Sequence, residues 1–128
     1  MKDFLLISLG AMTGANLRYA VSRLAMKQIS ASFPWGTMLI NATGSFILGF
    51  FLVWTSERVL ADPRWRPLVA VGFCGGYTTF STFEWETFKL VRDGSWGLAL
   101  ANVLGSVLAG FCGVLLAVLL IVLVFPRR

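Results

Sequence analysis

The sequence contains no histidine, and only 13% of its 128 residues are charged. Six residues are acidic, and most of them lie near the ends of the apolar segments defined below. Histidine-based acid–base catalysis and carboxylate-rich metal cages therefore lack the side chains that they need. We predict that the protein is not an enzyme.

Cysteine is also scarce. Cys74 and Cys112 both lie in apolar segments and do not have the spacing of a metal site. We interpret them as small packing residues. A cleavable signal pattern is absent as well, because Lys2 and Asp3 lead directly into an apolar segment with no A-x-A-like site.

Apolar residues dominate what remains. They make up 57% of the chain, and the mean hydropathy is +0.78. This balance predicts an all-α integral membrane protein with four transmembrane helices in a single domain, residues 1–128. The predicted helices span residues 4–26, 35–56, 67–91 and 96–125. Pro34 and Pro67 suit helix starts, and Gly94 with Ser95 predicts a turn.

The basic residues are divided almost evenly between the two membrane faces. Four spans place six on one side (Lys2, Arg58, Arg64, Arg66, Arg127, Arg128) and five on the other (Arg18, Arg23, Lys27, Lys89, Arg92). Because orientation follows a Lys/Arg excess, this balance predicts insertion in both orientations. The alternative is a fixed orientation, with one or two arginines too deep in the membrane to count. The net charge of +5 is spread over both faces, so we expect no nucleic-acid partner.

A subunit this small has little interior in which to enclose a polar pathway. Insertion in both orientations allows an antiparallel homodimer with a two-fold axis in the membrane plane. Small residues on the second and fourth helices suit close helix contacts: Gly44, Ser45, Gly49, Gly105, Ser106, Ala109, Gly110 and Gly113. Gly44 and Gly49 do not have GxxxG spacing, so the dimer face stays unassigned.

Residues 75–83, GGYTTFSTF, read as a loop inside the third apolar segment. We predict a helix break at Gly75 and Gly76, which releases backbone carbonyls of the kind that transporters use to hold cations. Phe80 and Phe83 are three residues apart and share one helix face. The edges of their rings are positive and suit a small anion.

Further donors at a similar depth are the Asn41 amide and the hydroxyl groups of Thr79, Ser81 and Thr82. Other interpretations stay open: the phenylalanines pack, the hydroxyl groups bond to their own helix, and Asn41 joins two helices. Arg18 then extends to the membrane interface. The residues alone indicate a small polar pathway in a membrane dimer.

Two longer stretches, TMLINATGSF at residues 37–46 and GFCGGYTTFSTF at residues 72–83, resemble the Fluc (CrcB) family of fluoride channels. GANLRY at residues 14–19, which includes Arg18, is similar to the first-helix motif of that family. The resemblance covers essentially the whole chain. It implies a dual-topology antiparallel homodimer in a bacterial inner membrane, surrounded by lipid. Two pores in this dimer let fluoride leave the cell passively.

The resemblance also implies roles for single residues. Asn41, Phe80, Phe83, Ser81 and Thr82 are the expected fluoride-pore residues. Arg18 is expected at the vestibule, and backbone oxygens of Gly75 and Thr78 are expected to hold a structural sodium ion at the dimer centre. Asn102 and Ser106, four residues apart on the fourth helix, are expected to add pore donors.

Two positions depart from the family pattern. Tyr77 stands where a small aliphatic residue is expected, and Glu84 where a small or neutral residue is expected. Glu84 near the pore aromatics repels anions or makes conduction depend on pH; alternatively, it pairs with an arginine such as Arg18.

Two other function classes compete with the channel. A small multidrug-type proton-coupled antiporter needs a membrane-embedded carboxylate in the first helix, and this one has no acid between Asp3 and Arg18. Only Glu84 or Glu86 is left for that role. A non-transporting scaffold accounts for the small-residue helices but not for residues 75–83.

Overall fold

The computed structural model describes residues 1–29, 32–57 and 62–125. Its helices are α1 (Lys2–Gln28), α2 (Trp35–Glu57), a π-helix (Arg66–Cys74), the single turn α3 (Gly75–Tyr77), α4 (Phe80–Arg92) and α5 (Trp96–Val124). These three described ranges contain no strand, which confirms the all-α prediction. Arg58, Arg127 and Arg128, which enter the charge count, lie outside the described residues.

Three helices are long and apolar enough to cross a membrane. They are Lys2–Gln28, Trp35–Ser56 and Trp96–Val124. Large apolar side chains are exposed along the whole of α5, such as Leu104, Leu108 and Leu123. Such a surface suits lipid or a partner helix and not water.

The π-helix and α3 pack directly on α1 through glycines. A Cβ atom added to Gly10 would lie 2.1 Å from the Leu68 carbonyl oxygen, and one added to Gly76 would lie 2.6 Å from the Ala11 oxygen. Gly10 and Gly14 on one side, and Gly72 and Gly76 on the other, both have GxxxG spacing. This spacing brings the two backbones into contact without intervening side chains.

α2 and α5 form the second close pair. A Cβ atom on Gly113 would lie 2.7 Å from the Ala42 oxygen, and one on Gly49 would lie 3.3 Å from the Val114 Cα. The small residues of these helices therefore make the close contact predicted for them, but they make it within one protomer. These four residues form a seam between helices of the same chain.

The third segment is interrupted, but not where the glycines predicted. Gly75 is helical, with φ −64° and ψ −35°. The backbone becomes extended at Thr78 (ψ 158°) and Thr79 (φ −151°, ψ 112°). The predicted break at Gly75 and Gly76 is wrong because Gly76 serves the close approach to α1, while Asn41 offers Thr79 hydrogen bonds that replace helical ones.

The ends of the third segment are set by local features. Asp62 accepts hydrogen bonds from the backbone and side chain of Arg64, and this guanidinium lowers the pKa of Asp62 to about 2. Pro67 occupies the first turn of the π-helix. Gly94, with φ +76°, forms the turn between α4 and α5, as predicted.

Candidate functional site

Asn41 on α2 holds the break in the third segment. Its Oδ1 accepts a hydrogen bond from the Thr79 N–H at 2.8 Å, and its Nδ2 donates to the Thr79 carbonyl at 3.1 Å. One amide side chain thus satisfies both backbone groups of an extended residue. Irregular backbone at membrane depth requires partners of this kind, because lipid supplies none.

Because the Thr79 N–H donates to Asn41, the hydrogen bonding of the carbonyls that precede Thr79 differs from that of a continuous helix. In a continuous helix this N–H would donate to the Gly75 carbonyl, but here it donates to Asn41. The Thr78 carbonyl instead lies 3.4 Å from Nη1 of Arg18, a residue of α1. The carbonyls of Gly75 and Thr78, which are predicted to hold a cation, therefore lie at or near the break. The Thr78 carbonyl already faces the positive charge of Arg18.

Thr79 is the N-cap of α4. Its Oγ1 accepts a hydrogen bond from the Thr82 N–H at 3.3 Å and donates to the Thr82 hydroxyl at 2.9 Å. The Ser81 and Thr82 side chains lie on the exposed surface of the protomer. The positive end of the α4 dipole is therefore located at the break, where it favours an anion.

A cavity of about 290 Å³ opens beside the break. Asn41, Thr78, Phe80, Phe83 and Ser106 are among its lining residues. The two phenylalanine rings are 5.7 Å apart between centroids and tilted by 44°. Phe83 is buried, whereas Phe80 is 73% exposed, so one wall of the cavity faces away from the protomer.

A chain of hydrogen bonds leads away from this cavity between α4 and α5. The Ser106 hydroxyl donates to Oδ1 of Asn102 at 3.3 Å, and Nδ2 of Asn102 donates to the Thr87 hydroxyl at 2.8 Å. Thr87 in turn donates to the Phe83 carbonyl at 2.8 Å. Asn102 is fully buried. Its burial requires hydrogen bonds, and this chain supplies them.

A second cavity, of about 450 Å³, lies between α1, the start of α2 and the C-terminal part of α4. Glu86, Lys89, Asp93, Thr37 and Ser22 are among its lining residues. The Glu86 carboxyl group is hydrogen-bonded to Thr37. Its Oε2 is buried and has no hydrogen-bond partner in the part of the chain that the structure describes. The two cavities have different linings, one aromatic and one charged, and Glu86 of the second directly precedes Thr87 of the hydrogen-bonded chain.

Tyr77, the departure from the family pattern, is a packing residue. It is 4% exposed, its ring stacks on Phe73 with centroids 5.7 Å apart, and its hydroxyl lies 3.0 Å from the Thr43 hydroxyl. Gly44 next to Thr43 leaves room for the break, since a Cβ there would lie 2.3 Å from Cγ2 of Thr78. Three α2 residues therefore fit the third segment at the break. Asn41 and Thr43 supply side-chain partners, and Gly44 leaves space for Thr78.

Removing the Tyr77 hydroxyl should measure this fit. We expect Tyr77→Phe and Thr43→Val each to lower the free energy of unfolding. In a double-mutant cycle the two should couple by about 1 kcal/mol, as for other buried hydrogen bonds. Unfolding in detergent, followed by tryptophan fluorescence, gives the four values. Additive losses would contradict the contact between the two hydroxyl groups.

The structure brings most of the predicted pore residues together. Asn41, Phe80, Phe83 and Ser106 line one cavity, and Asn102 bonds to Ser106. Arg18 lies at the break. Glu84 is exposed, and the two ion pairs among residues 1–29, 32–57 and 62–125 are Arg64–Asp62 and Arg92–Asp93. The proposed pairing of Glu84 with Arg18 is therefore absent there.

Sequence reasoning missed several residues. Thr43 and Thr87 carried no signal except their hydroxyl groups in apolar helices, and Glu86 was considered only as an antiporter carboxylate. The paired glycines of α1 and the π-helix were detectable from their four-residue spacing. The two cysteines are free. Cys74 is buried, as expected of a packing residue, whereas Cys112 is exposed on the protomer, contrary to that expectation.

The chain is similar to known proteins over most of its length. The family described as "CrcB-like protein, Camphor Resistance (CrcB)" matches residues 5–118. A protein of Koribacter versatilis named "Fluoride-specific ion channel FluC" is 53% identical over 106 residues, 83% of this chain and 84% of the relative. Proteins with the same name from Solibacter usitatus (46% over 117 residues, 91% of this chain and 96% of the relative) and a Sulfurihydrogenibium species (43% over 121 residues, 91% and 98%) are also similar. The chain therefore belongs to the CrcB family, to which its motifs at residues 37–46 and 72–83 pointed.

Proposed function

We propose that this protein is a fluoride-selective ion channel that lets fluoride leave the cytoplasm passively across a bacterial inner membrane. The observation that carries the proposal is the aromatic cavity beside the break. There, two phenylalanine rings, the Asn41 amide and the Ser106 hydroxyl surround one space. Ring edges and neutral donors replace the water of a small anion without a fully charged partner.

The fluoride path runs from the aromatic cavity along the hydrogen-bonded chain. Ser106 lines the cavity, Asn102 is the central donor, and Thr87 is adjacent to Glu86 in the second cavity. Arg18 and the N-terminus of α4 favour anions at the break. Together these groups provide donors along the path that water would otherwise supply.

The working unit is an antiparallel homodimer with two pores, and the third segment crosses the membrane in each subunit. That segment runs from Arg66 to Arg92, as many residues as α1 contains. Ser81 and Thr82 are polar and exposed at the break, where lipid offers their hydroxyl groups no partner beyond Thr79. A second copy that covers this surface removes the problem and closes the open wall of the cavity at Phe80. The even division of basic residues supports opposite orientations of the two copies.

The carbonyls of Gly75 and Thr78 fit a sodium ion shared by the two subunits. The described residues contain no group of three or more carboxylate, thiol or imidazole side chains for a metal, so backbone oxygens are the donors of choice. The Gly75 carbonyl has lost its helical donor, and the Thr78 carbonyl already accepts from a cation. When bound, sodium supplies a fixed positive charge that lowers the cost of fluoride in low-dielectric surroundings.

Fluoride efflux from liposomes tests the proposal. Purified protein is reconstituted into vesicles loaded with fluoride or with chloride, and release is followed with ion-selective electrodes. We expect rapid fluoride release and little chloride release, with protein-free vesicles as the background. Absence of fluoride release from a folded dimer would overturn the proposal.

The antiporter alternative makes a different prediction in the same vesicles. It requires uptake of a cationic drug driven by a proton gradient, with Glu84 or Glu86 as the exchanging carboxylate. Glu84 is exposed on the protomer. Asp3 is the last acidic residue before the end of α1, so no carboxylate lies in the middle of this helix, where the antiporter mechanism needs one. We expect no proton-driven drug uptake.

A further inference from the structure

Arg18 makes an unusual contact for a cation in an apolar helix. It is half-buried on α1, and its guanidinium reaches across to the Thr78 carbonyl, 60 residues away in sequence. The two ion pairs among the described residues, Arg64–Asp62 and Arg92–Asp93, do not include Arg18. Among the described residues, a backbone oxygen at the break is therefore the hydrogen-bond partner of this half-buried charge.

The contact places two cations in competition. The proposed function assigns the Thr78 carbonyl to sodium, but the guanidinium occupies it in the single protomer. Two positive charges at one oxygen in low-dielectric surroundings repel each other strongly. The N–O distance of 3.4 Å is longer than the usual ~2.9 Å of such bonds, so the guanidinium is held weakly enough to be displaced.

We propose that Arg18 is an internal cation that competes with sodium for the Thr78 carbonyl. This inference rests on the proposed function, because it concerns the sodium site of the same channel. In a protomer without sodium, the Arg18 guanidinium donates to this carbonyl at the helix break. When sodium binds, the guanidinium leaves the carbonyl and turns toward the aqueous end of α1. Arg18 is thus a positioning residue for the break.

The competition has a measurable consequence that a purely anion-attracting arginine lacks. If Arg18 and sodium exclude each other, removing the guanidinium must tighten sodium binding. Removing an arginine that merely attracts anions would leave sodium affinity unchanged or would alter it only through long-range charge. A matched control exists on the same helix: Arg23 is exposed, and its guanidinium lies 5.9 Å from the centroid of the Tyr19 ring.

The experiment measures sodium-dependent stability of the full-length dimer in detergent. Unfolding is followed by tryptophan fluorescence while sodium replaces N-methylglucamine at constant ionic strength. A ligand at concentration c that binds only the folded state stabilises it by RT ln(1 + c/Kd), so fitting stability against sodium concentration gives an apparent Kd for sodium, here called the midpoint. For Arg18→Gln we expect a roughly tenfold lower midpoint, which is at the low end of what a hydrogen bond to a charged group contributes and fits the long N–O distance. Arg23→Gln should stay within about twofold of the wild type, because screened surface charges contribute little.

Two results would overturn the inference. One is an Arg18→Gln midpoint equal to that of the wild type or of Arg23→Gln, and the other is a complete lack of sodium stabilisation in all the proteins. If Arg18→Gln does not give a folded dimer, Arg18→Lys replaces it. Its shorter side chain and single donor group should lower the midpoint by roughly threefold, and an unchanged midpoint would again overturn the inference. Fluoride efflux of the wild type in liposomes is measured in parallel. Rapid efflux combined with either result rejects the role of Arg18 and leaves the channel function standing.

Discussion

Gly10→Ala should destabilise the protein by about 3 kcal/mol or more, at the upper end of what overpacking costs. The added Cβ atom would lie 2.1 Å from the Leu68 carbonyl oxygen and 2.7 Å from the Phe73 nitrogen, whereas ordinary contacts begin near 3.4 Å. Both obstacles are backbone atoms, which do not change rotamer. α1 and the π-helix would have to separate, and the contacts along the whole interface between these two helices would weaken together.

Gly97→Ala is the matched control for this substitution. Gly97 is also helical, and a Cβ atom there meets nothing within 4 Å. Because alanine is the better helix former, we expect this variant to be neutral or more stable by up to about 1 kcal/mol. Denaturant titration in detergent, read by tryptophan fluorescence, gives both values. A Gly10→Ala protein as stable as Gly97→Ala would contradict the direct backbone contact between α1 and the π-helix.

The packing of α1 on the third segment shows what the sequence could and could not predict. Hydropathy was sufficient to predict an all-helical membrane chain, and the glycines and hydroxyl residues within residues 75–83 were sufficient to predict an irregular third segment. The four-residue spacing of Gly10 with Gly14, and of Gly72 with Gly76, was also readable. It does not say that these two pairs pack on each other, because GxxxG spacing is compatible with a partner in the same chain or in another one.

The position of the break was less predictable for a physical reason. Glycine has the weakest helix propensity apart from proline, so Gly75 and Gly76 attracted the prediction. The structure keeps both in helical segments and interrupts the chain at Thr78 and Thr79. What decides the position is Asn41, 38 residues earlier, which offers an acceptor and a donor to Thr79. A long-range hydrogen bond of this kind leaves no trace in local propensity.

Site chemistry followed the motif more closely than the backbone did. Phe80, Phe83, Asn41 and Ser106 were named from the sequence, and they line one cavity. The contact between Arg18 and the Thr78 carbonyl was not foreseen, because it depends on how α1 packs on the third segment. Residue types thus indicated the kind of site, and packing decided which groups are partners.

Asn41→Asp should reduce fluoride efflux at least about a hundredfold, because it introduces a negative charge into the aromatic cavity. At 4 Å and an effective dielectric constant of 20, two like unit charges repel by about 4 kcal/mol, which exceeds the roughly 2.7 kcal/mol that a hundredfold change requires. The substitution also replaces the Nδ2 donor, so that a carboxylate oxygen faces the Thr79 carbonyl from which Nδ2 lay 3.1 Å away. Initial efflux rates from liposomes with equal amounts of folded dimer give the comparison.

Asn16→Asp separates the effect of the cavity from the effect of the charge. Asn16 is exposed on α1, and its Nδ2 donates to the Met12 carbonyl of the same helix, so the same substitution there leaves the cavity and the break intact. Compared per folded dimer, we expect its efflux to stay within about threefold of the wild type, because the added charge lies outside the aromatic cavity. Equal losses in both variants would mean that any added negative charge blocks efflux. A folded Asn41→Asp dimer with wild-type efflux would remove Asn41 from the fluoride path. A selective loss at Asn41 assigns the effect to this side chain, which both holds the extended backbone and lines the cavity beside Phe80 and Phe83.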